Sequence, residues 1–306
     1  MKLASRYSGR GSALLLTLWC VAVLSLMAVV IAQLVELDVE GESGRSARLE
    51  ARALALTGIA YGMCPTLKRG SELYTQRFPD GSQLDVRVAS ENARLNINLL
   101  LRQPENQGLK ALFKTWEVPL ESAQVAADSL QDWTDADDLR QLNGAERDQL
   151  QNQTQYALPQ NRDFLSVDEM ARVRGMDAIA ELKPDWRESF SVFSQGKLDV
   201  QESAPELFEA FALFSKPQAQ QWERLRNGPD EIPGTTDDLM LKSLDELVAH
   251  LGLSHGQASE LGNAFGIGGE PTRIISESRV GNASYEITVV VNRSEGKPRI
   301  LSWEER

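Results

Sequence analysis

The sequence predicts an α+β chain with a long N-terminal helix, a small antiparallel sheet, and a large helical domain inserted into that sheet. Three observations predict it. An uncharged apolar run near the N-terminus passes without a break into an amphipathic helical pattern. Alternating strand-like segments stand far apart, at 73–89 and 274–303. Most of what lies between them repeats its apolar residues at helical spacing.

The long helix comes first. Ser12–Ala32 is a run of 21 residues without a charge. At about 1.5 Å per residue it would be roughly 30 Å long, the thickness of a bilayer core. Lys2, Arg6 and Arg10 precede it, and no acidic side chain occurs before Glu36. Basic residues ahead of an apolar span place the N-terminus in the cytoplasm. The run exceeds the usual signal-peptide core of about 7–15 residues and lacks an A-x-A exit. From Ser46 to Tyr61 the pattern turns amphipathic, so one helix continues out of the membrane over 12–64, with 12–35 spanning. Gly41 and Gly44 are its weak points.

Charge divides at the same place. The protein has 306 residues, 44 acidic and 32 basic, for a net charge of −12. The first 35 residues carry +3, and the rest carries −15. Such a body repels phosphate backbones, so nucleic acid is excluded as a partner. Two His and two Cys exclude zinc clusters and a disulfide framework. On one continuous helix Cys20 and Cys64 would lie about 66 Å apart, so they cannot pair and are read as inert apolar side chains.

Around the start of the run the sequence reads Arg10-Gly11-Ser12-Ala13-Leu14-Leu15-Leu16, a short basic leader ending in Gly directly before the apolar helix. This resembles the leader of type IV pilins and pseudopilins. The resemblance implies cleavage between Gly11 and Ser12 by a prepilin peptidase, methylation of the new N-terminus, and a pilin-like fold. It departs from the pattern at the fifth mature position, where the family mostly has Glu and this protein has Leu16. An unpaired charge in a membrane is costly, so a subunit lacking that Glu makes sense where no subunit sits above it. Leu16 is therefore the marker of a tip position. The departure, with Gln131-Asp132-Trp133-Thr134-Asp135-Ala136-Asp137-Asp138 and Gly144-Ala145-Glu146, Arg94–Leu99, Phe164–Met170 and Trp303-Glu304-Glu305, resembles the K-type minor pseudopilins of the type II secretion system. The motifs span Arg10 to Glu305 in order.

The acidic loop carries the candidate site. Asp132, Asp135, Asp137 and Asp138 fall within seven residues, and Glu146 follows a turn at Gly144. Carboxylates this close repel one another, and a hard cation removes that cost. Calcium takes 6–8 oxygen ligands at flexible angles. The spacing is not that of an EF-hand. A solvated acidic turn after a helix at 118–130 is the other reading. With the resemblance, Asp132, Asp135, Asp137, Asp138 and Glu146 are the expected ligands of a structural calcium, and Trp133 is a packing anchor.

The remaining elements follow in order. Leu73–Phe78 and Gln83–Ala89 form a hairpin across Pro79-Asp80-Gly81. Helices are expected over 107–116, 120–130 and 167–174, and a strand over 186–193. Helices return over 206–214, 216–226, 245–251 and 255–264, and the last strands are expected over 274–280, 284–291 and 299–303. The expected sheet body is 65–98, 186–200 and 270–306. The helical insert with the acidic loop is 99–185, and a second helical unit is 201–269. A weak repeat relates these two. Leu165–Met170 matches Lys242–Leu247, and Leu95-Asn96-Ile97 matches Leu198-Asp199-Val200.

Ser166–Gly175 and Ser243–Gly252 also resemble helix-hairpin-helix units, which raises a rival function as a membrane-anchored DNA-uptake receptor. The −15 body argues against it. A tip minor pilin of a type IV pilus is a further alternative. Gly266-Ile267-Gly268-Gly269 follows no βαβ unit, and neither His accompanies a nucleophile motif, so no enzyme is expected. The resemblance implies an inner-membrane, single-pass protein with a periplasmic body. Its partners would be the I- and J-type minor pseudopilins, the major pseudopilin, the prepilin peptidase and the inner-membrane assembly platform.

Overall fold

The computed structural model describes residues 9–67, 70–151, 155–211, 214–294 and 297–306; for residues 9–16, 20, 22, 28–43 and 104 it describes the backbone alone. In sequence order the helices and strands begin with α1 (Gly9–Met63), β1 (Thr75–Arg77), β2 (Gln83–Ser90) and β3 (Leu95–Asn96). Next come α2 (Ile97–Leu101), α3 (Gln107–Thr115), α4 (Leu120–Thr134), α5 (Arg147–Leu150), α6 (Val167–Met170), α7 (Met176–Leu182), β4 (Phe190–Ser191) and β5 (Leu198–Asp199). The last elements are α8 (Pro205–Ala210), α9 (Lys216–Arg226), α10 (Leu244–Leu251), α11 (His255–Ala264), β6 (Phe265–Gly266), β7 (Thr272–Val280), β8 (Ala283–Asn292) and β9 (Arg299–Glu305).

The backbone of α1 is one helix from Gly9 to Met63, unbroken at Gly41 and Gly44. The leader residues 1–8 lie outside the described residues. Gly11, Ser12 and Leu16 fall within α1, but their side chains lie outside the described ones. Among the described residues no helix is long and apolar enough to cross a membrane. Of the described side chains in the apolar run all but the half-buried Val23 stand exposed, among them Leu18, Trp19, Leu24 and Leu26.

The C-terminal half of α1 lies on one face of a five-stranded antiparallel sheet ordered β1-β2-β7-β8-β9. Alternation decides which face. Leu84 and Val86, Ile274, and Ile287, Val289 and Val291 point inward against Ala55 and Ile59 of the helix. The approach is close because α1 carries glycine there. A Cβ at Gly58 would collide with Ser276 Oγ and come within 2.9 Å of Leu84 Cδ1. The far end of the helix seam is latched by the last strand. Glu305 receives both edges of the Arg52 guanidinium at 2.7 and 2.8 Å, the Tyr285 hydroxyl at 2.6 Å and Trp303 Nε1 at 2.9 Å. These donors hold the Glu305 carboxyl down at about 2.

Between β2 and β7 the polypeptide builds a second core of its own. It runs from Leu95 to Phe265 and includes Phe113, Leu130, Trp186, Phe190, Phe208 and Trp222. Each such side chain, fully buried, contributes about 1.5–3 kcal/mol. Four short contacts staple this insert to the sheet where the backbone enters and leaves. Glu91, fully buried, accepts from Arg273 Nε at 2.8 Å and Ser191 Oγ at 2.6 Å. Asn92 donates to the Glu270 carbonyl at 3.2 Å and accepts from Gln195 N at 2.8 Å.

The segment 186–200, expected in the sheet body, belongs to the insert instead. Phe190, Leu198 and Val200 are buried in its core. The expected strand at 186–193 is a 3-10 turn over Trp186–Ser189 followed by two-residue β4, because Trp186 turns inward and is fully buried. The helix expected over 167–174 stops at Met170. The backbone reverses at Gly175, at φ 89°, and α7 follows. The units expected as 99–185 and 201–269 share one core.

Their internal repeat is visible atom by atom. Parallel pairing joins β3 to β4 in the first unit and β5 to β6 in the second, each pair enclosing its helices. Asn96 accepts from Asn98 N, and Asp199 accepts from Gln201 N. The amide of Asn98 then clamps Phe164, giving to its carbonyl at 3.0 Å and accepting from its N–H at 2.8 Å. The amide of Gln201 gives to the Leu239 carbonyl at 2.7 Å and accepts from Leu241 N at 3.1 Å. Two residues beyond each clamp stands the helix-capping Ser166 or Ser243, and Glu169 or Glu246 reaches back to the N–H of Leu165 or Lys242.

Candidate metal centre

Helix α4 delivers the first part of the site. Its last turns carry Asp128 and Asp132 four residues apart on one buried face. The backbone leaves the helix at Asp135, loops outward, and returns through Asn143-Gly144-Ala145 to Glu146 before α5. Carboxylate oxygens of Asp132, Asp135 and Glu146 lie within 4.8 Å of one another. Asp132 and Glu146 are buried at 0% and 1% exposure, so water cannot dissipate their charge.

Asp137 and Asp138, the other two expected ligands, do not join this cluster. Both are exposed, and Asp137 Oδ1 instead accepts from Leu139 N at 2.8 Å, closing a turn at the rim of the site. Trp133 is the expected packing anchor, stacked on Phe164 with ring centroids 5.5 Å apart.

Supporting residues hold the returning strand against α4. Asp132 Oδ1 accepts from Gln141 N at 2.9 Å. Asp128, itself buried and paired with Lys110 at 3.0 Å, accepts from the N–H and the side-chain amide of Asn143 at 3.2 and 2.9 Å. Arg174 donates to the carbonyls of Asn143 and Gly144 at 3.3 and 3.1 Å. A Cβ at Gly144 would collide with Asp132 Oδ2, so only glycine allows the close approach. Sequence reading did not assign Asp128 or Arg174 to the site. The spacing of Asp128 and Asp132 on one helix was the available signal for the first; nothing local marks Arg174, which arrives from beyond α6.

The site is under electrostatic strain. Asp132 Oδ2, Asp135 Oδ1 and both oxygens of Glu146 are buried and accept no hydrogen bond among the described residues. Native interiors rarely leave such atoms unsatisfied. Burial, then the charges of Asp132, Asp135 and Asp138, pushes the Glu146 carboxyl up to about 7. Burial and the neighbouring aspartates push Asp135 up to about 6. Asp132 is raised by burial. Three carboxylates with orphaned oxygens, and no His or Cys among them, are a donor set for a hard cation, so the residues fit calcium.

Of the two hairpins that resemble DNA-binding units, the first is placed for packing, whereas Gly252, the turn of the second, is exposed with nothing within 4 Å of an added Cβ. Gly175, the turn of the first, is pressed on α4, where a Cβ would approach Ala126 N to 2.8 Å. A duplex has no access to that turn.

A long N-terminal helix thus lies on a small antiparallel sheet, with a helical domain inserted between two of its strands. Residues 93–184, which contain the whole acidic loop, match the family model for the first domain of type II secretion system protein K. The fold matches one subunit in the crystal structure of the GspK–GspI–GspJ complex from the enterotoxigenic Escherichia coli Type 2 Secretion System. The TM-score is 0.59, with 16% identity, over 89% of this protein and 99% of that subunit. At that identity the likeness is one of fold. Comparison with curated proteins gives no match. The matched segment, residues 93–184, is similar to the first domain of that protein family. Members of that family are structural parts of the secretion machinery, not enzymes.

Proposed function

We propose that this protein sits at the tip of the type II secretion pseudopilus and starts its assembly, in the inner membrane with its body in the periplasm. The carrying observation is the absence of any acidic side chain from Ser12 to Val35, Leu16 included. Such a subunit has no charge with which to neutralise the N-terminus of a subunit above it. It can begin a filament but cannot take an ordinary place within one. After cleavage between Gly11 and Ser12 and N-terminal methylation, α1 would anchor it in the membrane. The exposed apolar side chains Leu18, Trp19, Leu24 and Leu26 support that reading. I- and J-type minor pseudopilins would bind through their own long helices. The major pseudopilin would assemble below, driven by the inner-membrane platform, to export folded proteins across the outer membrane. The fold likeness to one subunit of a complex of that composition supports the choice of partners.

Calcium would be held by Asp132, Asp135 and Glu146, and would supply the positive charge that these buried oxygens lack. Its role is to pin an irregular loop in a protein with no disulfide among the described residues.

Replacing Leu16→Glu tests the tip assignment. The expected outcome is a loosened or displaced tip complex, read as reduced co-purification with the I- and J-type subunits and reduced secretion. Wild-type assembly and secretion in that variant would refute it. Intact mass of membrane-extracted protein tests the leader, with loss of residues 1–11 and gain of one methyl expected.

A further inference from the structure

The internal repeat gives this protein two copies of one hairpin, and only the first is covered. In each copy a glycine in the left-handed region stands nine residues after the serine that starts the preceding helix. Gly175, at φ 89°, follows Ser166, and Gly252, at φ 60°, follows Ser243. Helix α4 lies over the first turn. A Cβ on Gly175 would meet Ala126 N and Cα at 2.8 and 2.9 Å and Val125 Cγ1 at 3.1 Å, so the turn rests on the backbone of α4. That helix can come so near because Ala123, Ala126 and Ala127 share its buried face. Over Gly252 nothing among the described residues comes within 4 Å of an added Cβ, and the same holds for Gly256 in the first turn of α11.

The uncovered hairpin is held firmly and is bare of charge. Leu247, Leu251, Leu253 and Leu261 are buried in the insert core, which fixes α10 and α11 from inside. Ala249, Gly252, Ser254, Gly256 and Ser259 stand exposed, with His250 and His255 beside them. From Leu247 to Ser259 the sequence has no Asp, Glu, Lys or Arg, in a body of net charge −15. An uncharged surface loses little when water leaves it, and glycine lets a second backbone approach. From Ser243 to Thr272 there is no Lys or Arg, so the hairpin lacks the cations that a phosphate backbone needs. Exposed Asp245 and Glu260 flank the patch, which suits a partner with basic residues at the rim of the contact.

We propose that the exposed hairpin at Gly252 is a docking site for an α-helix of another protein, one with alanine- or glycine-sized residues at the contact and basic residues beside it. The protein already contains this arrangement once, where α4 sits on Gly175. Neither the tip position nor the metal enters into it.

The test uses the full-length protein in detergent micelles and a fluorescent probe peptide. The probe is residues 120–131 of α4, acetylated, amidated and stapled across positions 120 and 124, with Glu121→Lys and Asp128→Lys to suit the acidic flanks. Fluorescence anisotropy reads binding, and hydrogen exchange locates it. Saturable binding is expected, with exchange slowed over 249–259. The probe carrying Ala126→Leu should bind about tenfold more weakly, because the bulkier side chain holds the two backbones apart. Gly256→Leu and Ala249→Leu in the protein, one on each helix of the hairpin, should each weaken binding to a similar degree. Both positions are exposed, so the melting temperature should stay level. A short DNA duplex is the rival ligand and should leave exchange at the hairpin unchanged. No saturable binding of the probe, equal binding of its Ala126→Leu form, full binding by both protein variants, or duplex binding that Gly256→Leu abolishes would each overturn the proposal.

Discussion

Glu146 shows best how one residue's surroundings set its chemistry. Both of its oxygens are buried without a well-formed hydrogen bond among the described residues, and burial with the neighbouring aspartates pushes its carboxyl up to about 7. Asp135 titrates near 6 for the same reasons. Raised carboxylate values mean that the folded metal-free protein holds protons that the unfolded protein releases. Stability must therefore fall as pH rises from about 4 to about 7. Calcium reverses that slope by favouring the ionised forms. Metal-free protein is thus expected to melt lower at pH 7.5 than at pH 5.5, and calcium to raise the melting temperature far more at pH 7.5. Glu146→Gln should abolish most of the calcium response and raise the melting temperature of the metal-free form. A calcium response that is unchanged in Glu146→Gln would remove this residue from the ligand set. Glu305 obeys the opposite rule. Its carboxyl is depressed to about 2, so the latch on α1 holds above the usual carboxylate range and is lost only as pH falls from about 4.5 toward 2.

Among the elements, α1 and the sheet show local preference and packing in conflict. Gly58 lies inside a helix, where Ala would be favoured by about 1 kcal/mol. Yet a Cβ there would collide with Ser276 Oγ and press on Val86 and Leu84 at 2.8 and 2.9 Å. Overpacking a tight interface costs about 1–3 kcal/mol, so packing wins. Gly58→Ala is expected to lower thermal stability, whereas Gly44→Ala, with nothing within 4 Å of the new methyl, should leave it level or raise it. Equal effects at the two sites would refute the close-approach argument. The same contrast explains what could be read in the sequence. Helices α9 and α11 were legible to the residue because their stops and starts are local. Ser215 with Gln218 and Ser254 with Gln257 form capping boxes. The long terminal strands were legible by alternation. Two-residue strands such as β5 were not, since Leu198-Asp199 owes its conformation to Phe265-Gly266, a distant partner. In the acidic loop the residue types were legible and the set was not. Asp137 closes a local turn with Leu139 N, while the returning segment is held by Asp128 and Arg174, which lie outside the loop, so its spacing alone does not show which carboxylates meet.

At the scale of the whole molecule two hydrophobic cores define two units, one of α1 and the large sheet, the other the insert. The internal repeat of the insert does not make two independent halves, because Phe190, Leu198, Phe208 and Phe265 belong to one continuous core. Cooperativity should follow the cores and not the repeat. The Gln201 clamp offers a probe. Gln201→Ala strands Leu241 N, which is buried, and the Leu239 carbonyl, at about 1–3 kcal/mol for each group left unsatisfied. This change lies in the second half, remote in sequence from the metal loop. If the insert opens as one unit, hydrogen exchange in Gln201→Ala must speed up in α3 and α4 as well as in α9 and α10. Strands β7 and β8, packed in the other core, must keep wild-type protection. Calcium should then slow exchange in α9 and α10 too, although no metal ligand lies there, because an ion bound at the end of α4 stabilises everything that opens with it. Loss of protection confined to α9 and α10 would show that the halves open separately. In that case the metal steadies the first half alone, and the remainder of the insert stands by its own packing.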